Sequence, residues 1–165
     1  MIQTYHHGRF EFFVVVIVIA IIALAALSRY SLMAEDARIL RLEIISNHFM
    51  TGAANARVQF LIANVAVNKP VKLGGIDKPV YFSEQGWPVS IHQPITLNYR
   101  PTEDDCYQLW HLLLQNPAPI VKGSAKNRGQ YRVFALANNC RYEFSDGTAY
   151  FDYFPLDGRL TFSAK

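Results

Sequence analysis

Residues 12–27 read FFVVVIVIAIIALAAL, sixteen positions without a charge, a proline or a glycine. Twelve of them are Phe, Val, Ile or Leu and the other four are Ala. At roughly −0.3 to −0.6 kcal/mol for each large apolar residue, insertion of this segment into a bilayer is favourable by about 4–7 kcal/mol. As a helix it rises ~24 Å, slightly short of a ~30 Å hydrocarbon core. Phe10 and residues 28–34 supply the missing length, with Arg29 reaching back to the head groups. Eight β-branched residues among positions 14–22 make a poor helix in water, and no polar face exists to meet solvent. The stretch predicts a membrane anchor, with Phe12, Phe13, Val16, Ile19, Ile22 and Leu27 in lipid and Arg29 at its border. A cleaved secretory signal fits less well, because the apolar core exceeds the usual ~7–15 residues and the Ala-Ala-Leu-Ser end offers weak cleavage chemistry.

No second run of that length exists, so one crossing is expected. The flanks orient it weakly. Arg9 precedes it, while Arg29, Arg38 and Arg41 follow it beside Glu35 and Asp36, and Lys and Arg alone do not favour a cytoplasmic N-terminus. The cysteines say more about compartment. Cys106 and Cys140 are the only two in the chain. They read most simply as one disulfide, which needs an oxidising compartment. Closing that loop would stabilise the fold by about 3.5–4 kcal/mol in the chain-entropy model. Two buried thiols are the plain alternative. Zinc with His111 is weaker, since no second close pair completes four ligands. The globular part is therefore expected outside the cytoplasm.

The chain divides into a short flank (1–9), the anchor (10–30), an amphipathic spine (31–67) and a β-rich head (68–165). No proline falls between Phe10 and Asn68. Leu32, Ile39, Leu42, Ile45, Phe49, Ala53, Ala56, Phe60, Ala63 and Val67 recur at helical spacings, an apolar stripe on one long helix. Glu35, Arg38, Arg41, Asn47, Asn55 and Gln59 take the other face. Unbroken, residues 10–67 would extend ~85 Å, with Gly52 marking a bend and Asn68-Lys69-Pro70 ending the helix. The prolines at 79, 88, 94 and 101 leave room only for short strands, such as 80–83 and 89–92. Gly74-Gly75 and Gly86-Trp87-Pro88 are turns.

Thr102-Glu103-Asp104-Asp105 starts a helix whose apolar face is Cys106, Leu109, Trp110, Leu113 and Leu114, and Asn116-Pro117 stops it. Residues 118–130 read as a loop. The tail then alternates with a period of two. Strands over 131–137, 140–145, 149–154 and 159–162 are joined at Asn138-Asn139, Asp146-Gly147 and Asp157-Gly158, dipeptides suited to hairpins. An α+β fold follows: a long N-terminal helix, its small-residue stripe packed on a C-terminal antiparallel sheet.

This order of parts resembles the type IV pilin superfamily. Gly86-Trp87-Pro88, Cys106 with Leu109-Trp110, Cys140-Arg141-Tyr142, and Pro155 with Asp157-Gly158-Arg159-Leu160 make it most similar to the MSHA pilus biogenesis proteins. The likeness covers nearly the whole chain by architecture and few positions by motif. It implies an inner-membrane, single-pass protein with its head in the periplasm. Its partners would be pilin or pseudopilin subunits and the pilus assembly machinery. Glu11, Leu32, Ile39, Leu42, Ile45 and Phe49 would make the helix-packing contacts. A pseudopilin of a type II secretion system is the related alternative. The N-terminus departs from the pilin pattern: Gly8 is followed by Arg9, Glu11 falls third and Phe13 fifth, where pilins carry glutamate. Cleavage after Gly8 is therefore not carried over. The resemblance would have Glu11 neutralise a neighbouring subunit's amine; its plain reading is a carboxylate at the membrane surface near Arg9.

Catalytic signatures are missing. The chain holds no nucleophile elbow, phosphate loop, HExxH or paired-cysteine metal motif, so no enzyme, cofactor or metal is expected. His48, His92 and His111 read as ordinary surface or hydrogen-bonded histidines. Asp146, Asp152 and Asp157 could gather around calcium, but Asp-Gly turns already explain two of them. Lys122, Lys126, Arg128 and Arg132 read as a solvated loop, with DNA contact the sharper alternative. A formal charge of +3 with scattered basic residues demands no nucleic-acid partner. Tyr131, Tyr142, Tyr150, Phe151, Tyr153, Phe154 and Phe162 are expected in the core or on the sheet, any surplus forming an assembly face. The leading expectation is a non-enzymatic, pilin-like assembly factor. The alternative of another class is an anchored periplasmic ligand-binding or enzymatic domain, which needs a deep polar pocket ringed by His92, His111 or the aspartates.

Overall fold

The computed structural model describes residues 5–66, 69–74, 78–92, 99–125 and 129–164, with the backbone alone for residues 5–9, 31, 32, 34 and 35. The fold is α+β. Its elements are α1 (Tyr5–Ala63), β1 (Val71–Lys72), β2 (Pro79–Phe82), β3 (Pro88–Ser90), α2 (Glu103–Leu113), β4 (Ile120–Lys122), β5 (Tyr131–Ala135), β6 (Cys140–Phe144), β7 (Ala149–Phe154) and β8 (Arg159–Ala164). The chain forms two compact units, residues 1–40 and 41–165.

The first unit is helical, and its apolar segment Phe10–Tyr30 (mean hydropathy 3.0) has no buried residue. In the second unit α1 is one-sided. Leu42, Ser46, Phe49, Ala53, Ala56 and Phe60 are buried. Their alternating spacings of four and three keep them on one face of a 3.6-residue helix. Phe49 inserts among Tyr142, Phe151 and Tyr153 at ring-centroid distances of 5.2, 5.6 and 5.1 Å. Phe60 stacks on Phe82 at 4.7 Å. The alanines between them let the helix lie close to the strands.

The helix ends earlier than its sequence predicts. Asn64 takes a left-handed φ of 47°, and its N–H donates to the Leu61 carbonyl at 3.3 Å. Asparagine tolerates this conformation and terminates helices by it. Asn68 and Val67 lie outside the described residues, as do Gly75, Lys126 and Arg128. At Gly52, where the sequence suggests a bend, the structure shows a packing role. A Cβ there would overlap the Leu113 carbonyl oxygen, so glycine is what lets the C-terminal end of α2 lie against α1.

Five strands form the larger sheet in the order β4-β5-β6-β7-β8, and β1-β2-β3 form a smaller one. The expected meander is present as β5 to β8, all antiparallel, with Ala135 opposite Cys140 and Phe154 opposite Arg159. The expected loop over 118–130 holds β4, which pairs parallel to β5 with Ile120 opposite Tyr131. Three residues between a proline and a glycine are too few to show a period of two, yet Ile120 is buried. β2 and β3 lie near the strands read from the proline-rich segment, with a bulge at Tyr81/Phe82. Trp87 packs face-on against Gly158, whose φ of 71° and missing side chain leave space for the indole. That contact ties the small sheet to the β7–β8 turn.

Fully buried Trp110, Tyr131, Tyr142, Tyr153, Phe49, Phe144 and Phe151 make the core. Burying aromatics of 150–250 Å² each is its main source of stability. Two of these phenols donate to backbone carbonyls, Tyr142 to that of Cys106 at 2.8 Å and Tyr153 to that of Pro88 at 3.1 Å.

Candidate functional site

Cys106 and Cys140 are joined in a disulfide with Cα atoms 5.4 Å apart. Both are fully buried. The bond fastens the first turn of α2 to the start of β6. A capping box begins the same helix: Thr102 Oγ1 accepts from the Asp105 N–H at 3.1 Å, and the Asp105 carboxylate accepts from the Thr102 N–H at 3.1 Å. At the other end Trp110 Nε1 donates to the Ala118 carbonyl at 2.9 Å. α2 is thus held at its start, its middle and the chain beyond its end.

The residues read from the sequence as an anchor are exposed apolar side chains. Phe12, Phe13, Val16, Ile19, Ile22 and Leu27 are between 45% and 68% exposed, and Glu11 and Arg29 are exposed as well. In water such a surface is unfavourable by about 25 cal/mol for each apolar Å², and the segment Phe10–Tyr30 is long and apolar enough to cross a membrane. Of the residues expected to pack against partner helices, Leu42 and Phe49 are wholly buried in the protein's own core. They are closed to a partner. Ile39 and Ile45 are half-buried, and the Leu32 side chain lies outside the described residues.

Sequence reading missed a different set. Ile44, Val58 and Ile62 are 47%, 53% and 78% exposed. They lie about half a turn from the buried stripe, on the face assigned to polar residues. Their spacing of fourteen and four is legible in the sequence but is overshadowed by the denser stripe on the opposite face. Beside Ile44 runs a groove of about 780 Å³ between α1 and the stretch after α2. Arg41, Ile45, His48 and Gly52 line one side and Leu113 to Pro119 the other. Arg41 brings a guanidinium to it and His48 an imidazole. His92, His111 and the three aspartates lie elsewhere.

Those other candidates are taken up locally. Asp152 makes a two-pronged pair with Arg141 at 2.8 and 2.9 Å. Asp146 and Asp157 accept from Thr148 and Arg159 in separate turns, both at 3.0 Å. The three do not gather, and no cluster of three metal-ligating side chains exists among the described residues. Lys122 pairs with Asp104 at 2.7 Å, and Arg132 donates to the Gly123 carbonyl. Of the two described members of the basic patch, Lys122 is thus paired with an acid and Arg132 is held by a backbone carbonyl. His111 lies against Tyr107 with centroids 4.7 Å apart, and burial followed by nearby Lys78 lowers its pKa.

Ser90, His92 and Asp105 come together in a way the sequence did not announce. The Ser90 hydroxyl donates to Asp105 Oδ1, and His92 Nδ1 lies 3.6 Å from the same oxygen. Burial works to raise the Asp105 pKa, but hydrogen bonds from Ser90, Thr102 and Tyr99 hold the carboxyl below its ordinary value. Burial raises the Tyr99 phenol, with Asp105 adding to it. A hydroxyl aimed at a carboxylate held ionised is a structural donor. The same carboxylate accepts from the Thr102 N–H, so it serves the helix cap as well. The arrangement fixes the start of α2 to β3.

Compared with known proteins, the chain matches no family model, no curated protein and no solved structure.

Proposed function

We propose that this protein is a non-enzymatic, membrane-anchored, pilin-like protein of MSHA-type pilus biogenesis, similar to MshF. One observation carries the reading. A single helical element holds an apolar segment with no buried residue, Phe10–Tyr30, and then a periodic stripe that is the core of a disulfide-fastened α+β head. Anchor, spine and head are the parts a pilin-like assembly factor needs. The disulfide supports a periplasmic head, and with it insertion in the inner membrane. Ile44, Val58 and Ile62 offer pilin or pseudopilin subunits an apolar helix face, while Leu42 and Phe49 serve the fold. The serine–aspartate–histidine grouping, taken up in capping α2, gives an enzymatic reading little support.

The test is genetic and biochemical together. Deleting the gene should abolish or reduce assembly of the pilus, and the tagged full-length protein should co-purify with a pilus component. Unchanged piliation and secretion, with no such component recovered, would overturn the proposal. Loss of secretion with normal piliation would move the protein to a type II secretion system.

A further inference from the structure

The disulfide is the one part of the core with chemistry of its own, and the head leaves that chemistry no room. Cys140 opens β6, the middle strand of the larger sheet, between Ala135 of β5 and Tyr153 of β7. Cys106 meets it from the first turn of α2. Both cysteines are fully buried, as are Leu109, Trp110 and Tyr153. The Trp110 ring stacks on that of Tyr142, two residues beyond Cys140, with centroids 5.3 Å apart. The Tyr142 hydroxyl reaches the Cys106 carbonyl at 2.8 Å. α2 therefore lies over the bond as a cover.

That cover is fastened at both ends. At its start Asp105 accepts from the Ser90 hydroxyl of β3 and from the Thr102 N–H. Asp104 pairs with Lys122 of β4 at 2.7 Å, and Glu103 accepts from the Ser124 N–H at 3.1 Å. At its end the Leu113 carbonyl fills the notch left by Gly52 of α1. Thiol–disulfide exchange needs a thiolate to reach one sulfur and form a mixed disulfide with it. With both cysteines sealed, such a path opens only when α2 leaves the sheet.

We infer that the Cys106–Cys140 bond is made on the open chain, before α2 seats, by exchange with an oxidised dithiol, and that the folded head is closed to exchange. One protein thiolate attacks the oxidant's disulfide, forming a mixed disulfide and releasing one oxidant thiolate. The second protein thiolate then attacks the protein sulfur of that mixed disulfide, forming Cys106–Cys140 and releasing the other. The oxidant leaves as a dithiol, carrying the electron pair and the protons that the two cysteines gave up. Reduction runs back through the same mixed disulfide, so closure to reduction is closure to formation as well. An oxidant that meets the head only after folding arrives too late. The bond is a permanent staple rather than a sensor of redox state.

The experiment follows reduction of the full chain in detergent by dithiothreitol, with free thiols trapped by a maleimide and counted by mass. In native buffer reduction should be at least about thirtyfold slower than in urea above the unfolding transition, because exchange waits for opening. The rate should also climb with urea below the transition, as the open population grows. Gly52→Ala, which unseats the end of α2, should speed reduction in native buffer about fivefold or more. Leu156→Ser, at an exposed side chain in the β7–β8 turn, should leave it within about twofold. Should Gly52→Ala not fold, the urea dependence of the unaltered chain decides alone. A smaller protection in native buffer, or a rate indifferent to urea below the transition, would overturn the inference, since a sulfur would then be open to attack in the folded head. None of these rates depends on pilus assembly, so the two proposals fail separately.

Discussion

Within α1, residues 12–27 and residues 42–60 are both helical and both rich in apolar side chains, but they meet opposite fates. In the first stretch every residue is exposed. In the second, Leu42, Phe49, Ala53, Ala56 and Phe60 are sealed into the core, and Arg41, Glu43, Asn47 and Asn55 remain outside. Total hydrophobicity does not explain the contrast, since the more apolar stretch is the unburied one. Pattern does. A helix apolar all round has no polar face to leave in water, so it suits a medium that surrounds it. A helix apolar at every third or fourth position covers one sheet and keeps its solubility. The lesson extends within the second stretch, where Ile44 and Val58 lie off the stripe and stay exposed despite being as apolar as Leu42.

The strongest way to break the contrast is to charge the anchor. Val16→Lys with Ile19→Lys adds about 5–7 kcal/mol to the insertion free energy, enough to cancel the favourable term. The full-length double variant should leave the membrane fraction on alkaline carbonate extraction, while its head keeps its disulfide and its thermal midpoint. A smaller effect of opposite kind is expected at Phe49. Phe49→Ala leaves a cavity among Tyr142, Phe151 and Tyr153, and should destabilise the head by about 3–5 kcal/mol in urea without altering membrane retention.

Gly52 sharpens the comparison through a reversal of sign. Helix propensity alone makes Gly52→Ala stabilising by about 1 kcal/mol. Because its Cβ would meet the Leu113 carbonyl, the expectation is a loss of about 1–3 kcal/mol, read by the same urea titration. The smallest effect belongs to Val58→Ser, half-exposed and off the stripe. It should shift head stability by no more than ~0.5 kcal/mol. A change of several kcal/mol there would mean that α1 buries more than one face.

What the sequence made legible was whatever repeats. The anchor, the stripe, the Thr102–Asp105 helix start and the hairpin turns each declare themselves over several neighbouring residues. The structure has a helix through the anchor segment, a cap at Thr102 and β7 at its expected bounds, while the buried stripe takes in Ser46, leaves Ala63 exposed and ends sooner than expected. The elements missed are those without room for a period, β1 with two residues and β4 with three. The other misses depend on partners far away in the chain. Nothing local says that Gly52 faces a carbonyl 61 positions on. Nor does anything local say that Ser90 and Asp105 meet, or that Trp87 lies on Gly158. Asn64 could have been read as a helix stop, since asparagine favours the left-handed conformation, but Pro70 was the louder signal. The disulfide was readable because two cysteines leave one pairing.

The most direct measurement is nitroxide accessibility on the full chain reconstituted in lipid vesicles. Both native cysteines are locked in a buried disulfide, so single cysteines at Ile19 and Ile44 can be labelled cleanly. The account predicts that the Ile19 label relaxes with oxygen and is shielded from a water-soluble nickel chelate. The Ile44 label should show the reverse. A label at Ile19 open to the chelate would contradict it, because the unburied half of α1 would then face water and the protein would have no anchor.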